Sequence, residues 1–166
     1  YVAGGRIKHI LSIFLSAIPV LVILILAEPY RIRRIVAYLN PWEDPSGAGF
    51  QLSQSQIALG SGGFWGVGLG QSVQKLFYLP AAHTDFIFSI VGEELGFLGA
   101  IALIILFGML IWHGTRIIKQ TTDAFGYYLC FGILVMISIQ VIVNFGVSIG
   151  ALPTKGLPLP FISYGG

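Results

Sequence analysis

Charge is what this sequence has least of. Its 166 residues include nine Lys and Arg and seven Asp and Glu, 10% in all, where a soluble domain carries roughly 25%. With 55% hydrophobic residues and a mean hydropathy of +0.85, a water-soluble globular fold is excluded. The net charge of +2 comes without a basic stripe, so no nucleic-acid partner is expected. A single cysteine, Cys130, excludes a disulfide framework and any multi-cysteine metal site. The glycine-dense residues 60–70 have neither GxGxxG spacing nor the Lys-Ser/Thr ending of a phosphate loop, which excludes nucleotide binding, and no organic cofactor is expected. A recognisable signal peptide is missing too: the chain opens on Tyr1, with Arg6 and Lys8 soon after. It ends as abruptly at Ser163-Tyr164-Gly165-Gly166, so it reads as a segment of a longer membrane protein.

What is present is long apolar runs. A spanning helix needs about 20 mostly apolar residues, and three stretches supply them: residues 10–27, 86–114 and 125–149. The first contains Pro19, which a membrane helix tolerates when neighbours satisfy the freed carbonyl. Residues 115–124 read as a short connecting loop. Residues 150–166 are apolar but broken by Pro153, Pro158 and Pro160, a turn leading into a further helix. Residues 28–85 cannot cross a bilayer. They begin with Arg31, Arg33 and Arg34 and pass through turn chemistry at Asn40-Pro41-Trp42. Residues 51–59 could form a short amphipathic or re-entrant helix, followed by the glycine stretch with Phe64, Trp65 and Val67 between glycines. A loop this long, with its own aromatics and turns, points to function. The fold class is an all-α integral membrane protein. Orientation does not follow from charge: parity puts Arg6, Lys8, Arg116 and Lys119 on one side against Arg31, Arg33, Arg34, Lys75 and Lys155 on the other.

The densest chemistry lies in residues 75–88, where Lys75, His83 and Asp85 meet the start of the second span. For Asp85 two readings stand: a functional carboxylate at the membrane rim, or an acid in a helix's first turn, favoured by the dipole, with Thr84 as the cap. His83 is either a substrate contact or a hydrogen-bonded interface residue. Glu93 and Glu94 follow at a depth where ionised carboxylates are costly. They must sit near an interface, face a wet cavity or pair with cations such as the loop arginines. Helical phase sets Glu94 about opposite Asp85, which argues against a carboxylate pair; Glu93 is nearer in phase and suits an accessory role. Gln140 and Asn144 share one face of the third span, as interhelical hydrogen bonding requires. Lys155, on the Asp85 side by parity, either snorkels or meets an anion, and the clustered arginines suit anionic headgroups or a pyrophosphate.

Together these segments resemble the SEDS family (shape, elongation, division and sporulation), the FtsW/RodA polytopic peptidoglycan polymerases. The resemblance is carried by Asn40-Pro41-Trp42 with residues 47–51, by residues 54–63 and 66–70, by Lys75 to Pro80 and by His83-Thr84-Asp85-Phe86. It continues through Gly92-Glu93-Glu94-Leu95-Gly96 and, in the proline-rich turn, Pro153-Thr154-Lys155-Gly156 and Ser163-Tyr164-Gly165-Gly166. Gly92 before the paired acids looks more like the division or sporulation branch than the elongation branch, which tends to have Ala there. The resemblance implies a ten-helix fold in the bacterial cytoplasmic (inner) membrane, with this segment running from before the seventh helix into the tenth. Residues 28–85 would be the large extracytoplasmic loop, and the family's essential catalytic aspartate falls on Asp85.

The implied activity is polymerisation of lipid II, a disaccharide-pentapeptide on undecaprenyl pyrophosphate. That chemistry needs a base for the acceptor hydroxyl and positive charge for the leaving group. Asp85 is the expected base, or the ligand of a magnesium or manganese ion carried with the pyrophosphate. Lys75, Arg31, Arg33, Arg34 and Lys155 are the candidate anion contacts, with His83 and Thr84 beside them. Implied partners are a class B penicillin-binding protein that cross-links the glycan, other divisome membrane proteins and membrane lipids. Two rivals predict differently: a lipid II flippase needs polar groups at several depths of the membrane, and a non-catalytic divisome scaffold needs no Asp85.

Overall fold

The computed structural model describes residues 7–28, 38, 49–72, 85–153 and 157–163. Its helices include α1 (Ile7–Leu26), α2 (Phe50–Ser61), α3 (Ile87–Gln120) and α4 (Ala124–Ser148). Three of them, α1, α3 and α4, are long and apolar enough to cross a membrane, which matches the three runs read from the sequence. In α1 the hydroxyls of Ser12 and Ser16 donate to the carbonyls of His9 and Ile13, so neither hydroxyl opposes an apolar surround. The helix continues through Pro19.

Helices α3 and α4 form an antiparallel hairpin. The turn between them is only residues 121–123, not the longer loop expected over 115–124, because α3 continues to Gln120. The polar residues that close the apolar run mark the edge of the bilayer, and the helix carries on past it. Arg116 lies 4.0 Å over the Trp112 ring, an interfacial arrangement with an apolar body and a charged head. Asp123 then caps α4, its Oδ2 accepting from the Gly126 amide at 2.7 Å.

The far end of α4 closes with Gly150 at φ +80°. The Ala151 amide donates to Gly146 O and the Gly150 amide to Val147 O, which is the Schellman arrangement for a helix C-terminus. The hairpin core is aromatic. Phe88 and Phe145 pack at 4.3 Å between ring centres with their planes tilted by 37° and Phe107 meets Phe145 edge-on, with Leu103, Val141 and Leu159 buried around them. Leu159 comes from the proline-rich segment after α4, so that segment packs back onto the hairpin instead of leaving it. A second cluster, Phe86, Ile90 and Val147, closes the end where α3 begins.

Candidate functional site

Five chain segments converge where α3 starts and α4 ends. Asp85 stands just outside α3, half-buried. The helix begins at Ile87 with Phe86 as its N-cap and no side-chain cap bond. The reading of Asp85 as a first-turn acid is therefore corrected: it precedes the cap, and the phase comparison with Glu93 and Glu94 does not apply to it. The physical reason is local. Phe86 is 2% exposed and anchors the entry in the apolar cluster, and its carbonyl receives the amides of Ser89 and Ile90. The Asp85 carbonyl turns instead to α4, where the Asn144 amide donates to it at 2.9 Å.

The same Asn144 Nδ2 donates to the carbonyl of Leu157, also at 2.9 Å. The amide of one buried side chain thus ties the entry to α3 and the proline-rich segment to α4. Two carbonyl acceptors fix the amide's orientation, since only its NH2 can serve both. Around it lies a polar knot. Ser55 of α2 donates to the Ser148 carbonyl at 2.9 Å, so the Ser89 hydroxyl of α3, 2.6 Å away, donates to Ser55. Tyr38 reaches the same end, its hydroxyl donating to Ala151 O at 2.7 Å. Ser163 Oγ accepts from the Leu159 amide and the Ser163 amide donates to Leu159 O, which closes the proline-rich turn.

One helical step beyond, α3 breaks. Gly96 takes φ +67°, ψ −165°, a region that side chains other than glycine's rarely enter. The break frees backbone groups in a packed surround, where an unpaired one is costly. The glycine loop after α2 supplies partners for four of them. The amides of Val67 and Gly68 donate to Glu93 O and Glu94 O at 3.0 Å, and the amides of Phe97 and Leu98 donate to Gly63 O and Phe64 O. The two backbones approach so closely that a Cβ on Gly66 would lie 2.2 Å from Glu94 O, and one on Gly62 only 1.9 Å from Gly92 O. The glycines therefore serve backbone-to-backbone pairing rather than a phosphate.

Glu93 and Glu94 end the short first half of α3, both buried. Glu93 accepts a hydrogen bond from the buried Ser72 hydroxyl, which holds the loop immediately before residue 73. From residue 97 to the bilayer edge at Arg116, α3 covers roughly 30 Å at 1.5 Å per residue, about the thickness of the hydrocarbon core. This places the carboxylates beyond the spanning part and removes the expense of burying charge at the membrane centre. Lys75, His83, Thr84, Lys155, Arg31, Arg33 and Arg34 lie outside the described residues. Among the described residues no group of three or more His, Cys, Asp or Glu comes together.

Of the residues that meet at this end, sequence reasoning singled out Asp85, Glu93, Glu94 and Asn144 but not Ser55, Ser72 or Ser89. Their signal was weak: hydroxyls scattered through apolar or glycine-rich stretches, whose partners are distant in sequence.

Fold and site define an all-α integral membrane protein with a polar centre at one end of a helical hairpin, sealed by a glycine loop on a broken helix. The FtsW/RodA/SpoVE model, described as cell cycle protein, matches residues 1–166, and the chain belongs to that family. It is 52% identical over its full length to "Stage V sporulation protein E" of Bacillus subtilis (strain 168), covering 45% of that protein. It is 53% identical to the "Probable peptidoglycan glycosyltransferase FtsW" of Geobacter metallireducens, covering 44%. The chain thus spans less than half the length of these curated relatives. Its fold resembles a chain in a solved peptidoglycan synthase complex, described for its structural coordination of polymerization and crosslinking. The TM-score there is 0.67 at 30% identity, over 95% of this chain and 43% of that one.

Proposed function

We propose that the full-length protein is a peptidoglycan glycosyltransferase that polymerises lipid II at the outer face of the bacterial inner membrane during division, with Asp85 as its catalytic carboxylate. The observation that carries this reading is the placement of Asp85. It is half-buried at the mouth of a membrane helix, on backbone held by a buried amide. A residue so held has its backbone fixed, while its half-buried side chain stays partly open to a headgroup.

In the proposed step the acceptor's sugar hydroxyl attacks the donor's anomeric carbon. A glycosidic C–O bond forms and the bond from that carbon to the pyrophosphate oxygen breaks. Its electron pair leaves on undecaprenyl pyrophosphate, and the hydroxyl proton passes to the Asp85 carboxylate and on to water. Lys75, Arg31, Arg33, Arg34 and Lys155 are assigned to the pyrophosphate charge, and His83 and Thr84 to the same headgroup. Glu93 acts indirectly, by holding Ser72 ahead of the Lys75 segment. The described residues offer no protein cage for a resident metal; a magnesium or manganese ion would be held by Asp85 and substrate oxygens, neutralising leaving-group charge. A class B penicillin-binding protein is the proposed cross-linking partner, within a larger division complex.

The test uses purified full-length protein in detergent, where there is no compartment to flip into. Wild type is expected to form glycan chains from lipid II. The Asp85→Asn protein should fold normally and lose activity by about 10²-fold or more, the usual loss with a positioned acid or base. Near-normal glycan synthesis by Asp85→Asn overturns the assignment.

A further inference from the structure

Asn144 has a role that neither its depth in α4 nor its spacing from Gln140 explains. It is 1% exposed, in an apolar core where a buried amide is costly unless satisfied. Its NH2 protons do not serve helix-to-helix contact. Both go to backbone carbonyls of irregular segments, Asp85 O on one side and Leu157 O on the other. These segments are far apart in sequence, yet their carbonyls sit within two hydrogen-bond lengths of each other on one nitrogen. Asp85 carries the proposed catalytic carboxylate, and Leu157 lies two residues beyond Lys155, a proposed anion contact.

From this geometry we propose that Asn144 is a positioning residue: it sets the backbone of Asp85 relative to Leu157 in the proline-rich segment, and so the carboxylate relative to that segment. The inference rests on the glycosyltransferase reading of Asp85. Hydrophobic packing of Phe86 and Leu159 fixes the depth of each segment but is non-directional. The two amide hydrogen bonds supply the direction. A displacement of about 1 Å at a reacting group costs on the order of 10²-fold in rate, so Asn144 should govern turnover more than substrate affinity.

The test compares Asn144→Leu (similar volume, no donor), Asn144→Asp (same shape, acceptors only when ionised) and Asn144→Gln (donors kept) in the full-length protein. Lipid II polymerisation in detergent gives kcat and KM, and thermal midpoints report folding. Leu and Asp are expected to lower kcat between roughly ten- and a hundredfold with KM within about threefold, while Gln recovers most of the rate. If Leu does not fold, the Asp and Gln pair decides the question, since both keep a polar head of similar size. The inference is overturned if a folded Leu or Asp protein keeps wild-type kcat, or if kcat falls only in step with thermal midpoint across all three. A silent Asn144→Leu beside an inactive Asp85→Asn sinks this inference alone; an active Asp85→Asn sinks the reading beneath it.

Discussion

At the scale of single residues, the decisive conformation is that of Gly96. Five glycines punctuate α3, at 92, 96, 99, 108 and 114, and only Gly96 has positive φ. A Cβ there would stand 2.3 Å from Gly66 N and 2.7 Å from Phe64 O, both backbone atoms that cannot move aside. Gly96→Ala should therefore cost more than about 3 kcal/mol, combining backbone strain with loss of the loop's hydrogen bonds. The control is Gly108→Ala, where a Cβ meets nothing within 4 Å and helix propensity favours Ala by up to about 1 kcal/mol. Thermal midpoints of the purified proteins check both: the first should fall steeply and the second hold or rise. Hydropathy cannot tell these two glycines apart, because each sits in an apolar run. Only the partner loop, some thirty residues earlier in the chain, makes one of them a break. Asp85 stood out in the sequence because a carboxylate at the mouth of a span is rare. That its carbonyl, not its side chain, meets Asn144 was not legible, since periodicity assigns faces and not partners.

Among the elements, the three spans were readable because each carries a long apolar run, and composition alone decides that. Their ends were not. The extension of α3 to Gln120 depends on Arg116 and Trp112 placing polar and aromatic groups at the bilayer edge, which a hydropathy window reads as a loop. The start of α4 is better marked, by Asp123 three residues before the glycine whose amide it caps. Asp123→Ala should destabilise the hairpin by about 1 kcal/mol, whereas Asp123→Ser or Asn should hold it within a few tenths; the shift in thermal midpoint decides. Helix α2 shows the opposite balance. Its residues suggest only a weakly amphipathic segment, yet it is bound to α3 by close backbone contact at Gly62 and Gly92 and by the Ser55–Ser89 hydrogen bond. Gly62→Ala drives a Cβ into Gly92 O at 1.9 Å, so it should disrupt α2 docking and cost several kcal/mol. Leu59 permits a sensitive comparison. Its Cδ2 would lie 2.5 Å from a Cβ on Gly92, and a side chain can yield, so Gly92→Ala should be milder than Gly62→Ala in the same assay.

For the whole molecule, the hairpin imposes a topology that charge counting could not. Four cations against five gave no orientation, but α3 and α4 are each long enough to cross and are joined by residues 121–123. Their other ends therefore lie together on the opposite face: Asp85 before α3, the Schellman turn after α4, and Ala151 beside it. The polar knot of Ser55, Ser89 and Ser148 ties these ends directly, so the site cannot be split across the membrane without breaking buried hydrogen bonds. Lipid II with its headgroup at the outer surface can be used only if this end faces outward, and impermeant labelling reads that out. In full-length protein with Cys130 replaced by Ala, and any cysteines elsewhere removed, a cysteine at exposed Ala151 should react with a membrane-impermeant maleimide in intact spheroplasts. One at exposed Thr122 should react only after the membrane is opened. The reverse pattern would put the Asp85 end in the cytoplasm and remove the outer-face polymerase while leaving the hairpin intact. Labelling of both from one side would mean that α3 and α4 do not each cross, and the hairpin topology itself would fall.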